Sequence, residues 1–111
     1  MGSATLAFTE SNFQDEVLGA AEPVLVDFTA TWCGPCQRLA PVIDTLAESY
    51  SGRVKIGKVD VDENQGLAEK FGVASVPTVL VFKAGEVVDI IRGYNPESVL
   101  SNKLDSVLNG G

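Results

Sequence analysis

The period of the apolar positions changes several times along this chain, and each change marks an element. Residues 23–30, PVLVDFTA, are almost continuously apolar. Such a run predicts a central strand covered on both faces. Over 34–50 the period becomes helical: Leu39, Val42, Ile43, Leu46 and Tyr50 share one face, and Ser51-Gly52 stops the pattern. Pro41 lies inside it, removes one backbone donor and is expected to kink the helix. TLAF, 5–8, is a short strand. A helix follows, with Ser11 and Gln14 as a capping box, Phe13, Val17 and Leu18 as its apolar face, and Gly19 as its end. RVKIGKVDVD, 53–62, reads as a strand, and NQGLAEKFG, 64–72, as a short helix closed by Gly72. Residues 76–93 read as two strands around a Lys83-Ala84-Gly85-Glu86 turn. The last helix, 95–108, is capped by Asn95, has Pro96 at its first position, and buries Val99, Leu100, Leu104, Val107 and Leu108.

The order β-α-β-α-β-α-β-β-α predicts an α/β fold. The alternating part calls for crossovers and parallel pairing, and the terminal hairpin adds antiparallel strands. The expected result is a mixed central sheet of about five strands flanked on both faces by about four helices. The length of 111 residues, with no repeat or linker-like tract, suits a single domain over 1–111. Met1-Gly2-Ser3 fits a cloning remnant and a native start equally.

Composition narrows the chemistry. The net charge of −7 comes from eight basic and fifteen acidic residues, and the basic ones are scattered. With no basic block, nucleic acid is not an expected partner. No apolar run approaches the ~20 residues of a membrane span. The first residues, MGSATLAFTESNF, lack a basic n-region and a long apolar stretch. The expected location is therefore cytoplasmic, or that of a mature organellar form whose leader was removed. A monomer is expected. Two cysteines are too few for a disulfide-stapled miniprotein. The absence of histidine excludes Cys-His and Ser-His-Asp enzymes and His-containing zinc sites.

Both cysteines stand in TWCGPCQR, 31–38. Cys33 falls where the central strand ends and the long helix begins, the edge of an open α/β sheet where chemistry collects. Cys36 lies in the first turn, three residues on, which brings both sulfurs to one face within bonding reach. The helix start offers unpaired N–H groups and the positive dipole end, which favour a thiolate at Cys33. Pro35 suits the first helical turn, and Gly34 leaves one side of the sulfur open. Three readings compete. An inert bridge closing four residues constrains the unfolded chain little. A metal needs about four ligands and this motif supplies two, unless a dimer shares the site. A reactive dithiol fits best and carries both electrons itself, so no bound cofactor and no metal are expected.

Two charged residues support the reactive reading. Asp27 interrupts the buried strand, where lost hydration should raise its pKa and let it exchange protons near neutrality. The bland alternative is a hydrogen-bonded buried Asp or an edge strand. Lys58 is expected on the adjacent strand, either paired with Asp27 or simply solvated. Trp32, the only tryptophan, either packs in the core or shields the sulfurs and meets partners.

WCGPC, 32–36, resembles the active-site motif of the thioredoxin family. The resemblance extends through VLVDFTATWCGPCQRLAPVIDTLAESY, KVDVDEN, FGVASVPTVLVFKAGEVV and RGYNPESVL, from about Leu6 to Leu108. It implies a thioredoxin fold and a protein-disulfide reductase, with Cys33 as attacking thiolate and Cys36 as resolving thiol. Asp27 would take and return the Cys36 proton, tuned by Lys58. Val76–Pro77 would be a cis bond placing Pro77 against the sulfurs, where the alternative is a trans proline at a strand start. The Val76 backbone would pair with an extended substrate. Trp32, Gly34, Pro35, Val76, Pro77, Gly93 and Tyr94 would form a flat docking surface. The implied partners are disulfide-containing proteins and a thioredoxin reductase, a flavoprotein passing electrons from NADPH. Thr29, Gln37-Arg38 and Tyr94 depart from the best-known bacterial members, which carry an aromatic residue, Lys-Met and a small residue there. A binding module with incidental redox chemistry, and an oxidase or isomerase of the same fold, are the rival readings.

Overall fold

The computed structural model describes residues 4–110; Met1, Gly2 and Ser3 lie outside them. In chain order the elements are β1 (Leu6–Ala7), a π-helical turn (Gln14–Leu18), β2 (Val24–Thr29), α1 (Gly34–Ser49), β3 (Lys55–Asp60), α2 (Gln65–Lys70), β4 (Thr78–Lys83), β5 (Glu86–Arg92) and α3 (Glu97–Leu108). The strands form one sheet in the order β1-β3-β2-β4-β5. β1 and β2 each run parallel to β3, and β4 runs antiparallel to both β2 and β5. The sheet is mixed because the first strands are joined through helices and the last two by a tight turn. That turn places Ala84 and Gly85 at φ 54° and 81°, the double positive φ of a hairpin turn whose twist matches its strands.

β2 is the middle strand, and its alternate residues enter two cores. Val24, Val26 and Phe28 join Phe8, Phe13, Val17, Val59, Leu80 and Phe82 on one face. There the Phe13, Phe71 and Phe82 rings lie 5.3–5.6 Å apart, with Phe82 edge-on to both others. Leu25 joins Leu39, Ile43, Leu46, Ile56, Val79, Val81, Leu100 and Leu104 on the other. By parity Asp27 shares the Leu25 face, beneath α1. α1 runs unbroken through Pro41. Its buried stripe is Leu39, Ile43, Leu46 and Tyr50, with Val42 half-buried.

Two capping expectations are corrected. Ser11 does not cap the first helix. The chain turns two residues earlier, where Asn12 Oδ1 accepts the Thr9 N–H at 2.8 Å and the Thr9 carbonyl accepts from Asn12 and Phe13. The short Asn amide reaches nearby backbone better than the Ser11–Gln14 pair does. Ser11 Oγ instead lies 2.9 Å from Thr9 Oγ1. The segment then winds as a π-turn, with Gly19 N–H donating to the Gln14 carbonyl at 2.8 Å. Nor does Asn95 cap α3. Its side-chain amide donates to the carbonyls of Arg92 and Gly93, and Pro96, in extended conformation, becomes the N-cap. Gly93 at φ 80° bends the chain so that this amide closes the turn rather than opening the helix.

Gly57 pairs directly with Leu6 and lies under Phe8. A Cβ there would stand 2.5 Å from Phe8 Cε2 and 2.9 Å from the Leu6 carbonyl oxygen. Gly57→Ala should therefore cost about 1–3 kcal/mol of unfolding free energy by overpacking. Urea denaturation measures this, and an unchanged midpoint would refute the stated packing.

Candidate active site

The carboxyl end of β2 delivers the chain into the Ala30–Cys33 turn, closed by a Cys33 N–H to Ala30 carbonyl bond of 3.3 Å. Cys33 is the N-cap of α1, in extended conformation at φ −95°, ψ 114°. Its Sγ accepts the Cys36 backbone N–H at 3.2 Å, which is the capping bond usually made by a side-chain oxygen. Pro35 occupies the first turn of α1, where no N–H is required. Cys33 and Cys36 are joined as a disulfide with their Cα atoms 5.2 Å apart. Both sulfur residues are buried, packed with Ala30 and flanked by Val61 and Val76. A Cβ on Gly34 would meet only Arg38 Nη1, at 3.9 Å, so the loop over the pair is open on that side.

Asp27 is 3% exposed, and its Oδ1 has no protein hydrogen-bond partner. Burial pushes its carboxyl up to about 7, against the opposing pull of the Lys58 charge. Asp27 and Lys58 are register partners on β2 and β3. They form no ion pair: of the two readings of Lys58 the structure has the exposed lysine, which acts on Asp27 through space. Asp27, Cys36 and Lys58 line one cavity of about 360 Å³, together with Ala40 and Ile43 of α1.

Above the sulfurs, the Val76 carbonyl oxygen lies 3.7 Å from Cys33 Sγ, and the Val76–Pro77 bond is cis. The Pro77 carbonyl accepts the Gly93 N–H at 2.8 Å, which ties the β5 end to the same rim. Trp32 is 68% exposed, which excludes core packing, and Tyr94 is 44% exposed. Pro77 itself is buried, so it underlies this rim rather than adding area to it. Among the described residues, no group of three or more His, Cys, Asp or Glu is arranged to hold a metal ion, and no helix is long and apolar enough to cross a membrane.

A family model described as thioredoxin matches residues 4–106. Thioredoxin 1 of Nostoc sp. is 46% identical over 106 residues, spanning 96% of this chain and 99% of its own. Thioredoxin 1 of Synechococcus elongatus is 47% identical with the same coverage. Thioredoxin of Alicyclobacillus acidocaldarius is 44% identical over 105 residues, 95% of this chain and 99% of its own. The chain belongs to the thioredoxin family. Its fold is the thioredoxin fold, and its activity is protein-disulfide oxidoreduction by exchange at the Cys33–Cys36 pair.

Sequence reading missed Asp62. Its Oδ2 accepts the Trp32 indole N–H at 2.8 Å and fixes an otherwise exposed ring beside the sulfurs. The two residues are thirty apart, so no local pattern joins them. The signal lay in topology: β2 and β3 are parallel neighbours with Thr29 opposite Asp60, so the loops leaving them meet. Gln37 was likewise missed; its amide donates to the Thr31 carbonyl at 2.9 Å and braces the turn ahead of Trp32.

The Asp27 geometry predicts a pH-dependent stability. The folded carboxyl keeps its proton to about pH 7, whereas the ordinary value is 3.8. Across that window the folded state binds more protons, so its stability falls as pH rises. The wild type should lose up to about 4 kcal/mol between pH 4 and 8 relative to Asp27→Asn, at about 1.4 kcal/mol per unit of pKa difference. Urea midpoints of both proteins across this range provide the measurement; parallel curves would contradict the buried, raised carboxyl.

Proposed function

We propose that this chain is a single-domain disulfide reductase in which Cys33 attacks and Cys36 resolves. The observation that carries this reading is the shared placement of three groups. Cys33 caps α1, Cys36 lies in its first turn, and Asp27 faces Cys36's cavity from β2. The Cys36 N–H and the positive end of α1 stabilise a thiolate at Cys33. This thiolate attacks one sulfur of a substrate disulfide, forming a mixed disulfide and expelling the other sulfur as thiolate. The Asp27 carboxylate takes the Cys36 proton, with the Lys58 charge holding its acidity within range. The Cys36 thiolate then attacks Cys33 Sγ, closes the Cys33–Cys36 bond and releases the second substrate thiolate. Two electrons pass from the protein's sulfurs to the substrate, and the proton held by Asp27 leaves with the products.

The exposed rim serves docking. Trp32, Gly34, Pro35, Val76, Gly93 and Tyr94, supported beneath by Pro77, receive an extended segment of a disulfide-containing protein, with the Val76 backbone as its pairing edge. The oxidised pair is reset by a thioredoxin reductase, a flavoprotein that draws on NADPH. No cofactor need be bound, and the expected setting is a cytoplasmic monomer without nucleic-acid or membrane partners.

The test uses dithiothreitol as electron source and insulin as substrate. Cys33→Ser should abolish the acceleration, and Cys36→Ser should accumulate mixed disulfides that denaturing gels resolve. Turnover retained by both variants would sink the mechanism. Asp27→Asn should slow the resolving step by about tenfold or more at pH 7. In stopped flow its rate should follow the Cys36 thiol titration alone, whereas the wild-type rate should gain a component rising through about pH 7.

A further inference from the structure

The chain has eight cationic side chains, and all but three make a hydrogen bond, ion pair or ring contact among the described residues. Lys55 bonds Glu16, and Lys103 pairs with Asp89. Lys83 donates to the Val107 carbonyl. Arg53 lies over the Tyr50 ring and donates to the Ser49 carbonyl. Lys70 lies over Phe71. The exceptions are Lys58, which reaches Asp27 only through space, and the exposed side chains of Arg38 and Arg92, for which the described residues supply no hydrogen bond, ion pair or ring contact.

Arg38 and Arg92 each adjoin a residue of the proposed rim, Gly34 and Gly93. Arg38 Nη1 is the nearest group to the open side of Gly34, at 3.9 Å from where its Cβ would stand. Arg92 pairs with Thr78 across β4 and β5 and directly precedes Gly93, which is bonded to Pro77. Its side chain lines a groove of about 120 Å³ with Gly72, Ser75, Thr78 and Ile90. Ser75 adjoins Val76, the backbone edge beside Cys33. The acids nearby are differently placed. Asp62 is engaged by Trp32, Asp60 by the backbone N–H groups of Asp62 and Glu63, and Glu63 lines the Asp27 cavity.

An exposed guanidinium without a partner costs the fold nothing to keep and offers a planar fork matched to carboxylate. In a chain of net charge −7, an acidic partner is repelled at long range. Two arginines without partners at the rim supply local positive charge where a substrate segment lies. We infer that Arg38 and Arg92 form a two-point carboxylate clamp, which selects substrate segments carrying Glu or Asp beside the reacting cystine. This inference rests on the docking surface proposed above.

Three short peptides, each dimerised through its one cysteine, test it, with Glu, Ser or Lys on both sides of that cysteine. Reduced protein, freed of reductant, is mixed with excess peptide, and Trp32 fluorescence follows oxidation. Each rate is divided by that peptide's rate with dithiothreitol, which removes differences in leaving-thiol acidity. At low ionic strength the Glu peptide should react roughly fivefold faster than the Ser peptide, and the Lys peptide slower, as exposed rim charges allow. The spread should collapse toward unity in about 0.5 M salt and in Arg38→Gln/Arg92→Gln. Equal rates for the three peptides, or a spread that survives in the double variant, would overturn the clamp while leaving the reductase reading intact. Failure to oxidise with any peptide would instead overturn the reductase reading.

Discussion

The structure depends on the burial of β2 on both faces. A strand held between β3 and β4, with α1 and α3 over one face and the aromatic cluster over the other, has no solvent-facing position until its carboxyl end. Its last residues must deliver the chain to the surface and straight into α1. Cys33 is therefore fixed at a helix terminus by the packing of a strand it does not belong to. The same burial makes Asp27 unusual, because a carboxylate takes a place among Leu25, Ile43 and Val79. The group keeps its proton to near neutrality because the folded core withholds water from it.

This arrangement opposes stability at neutral pH. An aliphatic residue at 27 would complete the core, yet would remove the buried carboxyl from the Cys36 cavity. Departure from the local rule of apolar residues on buried strands thus falls at the reacting site, where such departures are expected. Lys58 moderates the cost without joining the site directly. It stays exposed, and its charge reaches Asp27 from the neighbouring strand.

Around the sulfurs the polar groups the fold supplies are backbone ones, the Cys36 N–H, the Val76 carbonyl and the Gly93 N–H to Pro77 bond, set among the apolar side chains of Ala30, Val61 and Val76. Gln37 has taken a bracing role, and Tyr94 stands exposed beside Gly93.

By itself the sequence determined the elements, their order and the reacting pair. The apolar run of β2 and the α1 stripe of Leu39, Ile43 and Leu46 are periodic signals that local sterics and burial turn into structure. WCGPC could be placed between them without coordinates, and Asp27 stood out as a charge inside an apolar run. Caps were legible only in outline, because Asn12 and Asn95 satisfy turns that compete with the helix starts for the same short amides. Tertiary structure alone decided what meets across the chain. It set Asp62 against Trp32, kept Lys58 out of contact with Asp27, buried Pro77, and left Arg38 and Arg92 unpaired beside Gly34 and Gly93. The physical reason is distance along the chain. A period reports which face of an element is buried, whereas the partner of a side chain thirty or fifty residues away is fixed only when strands take their places in the sheet.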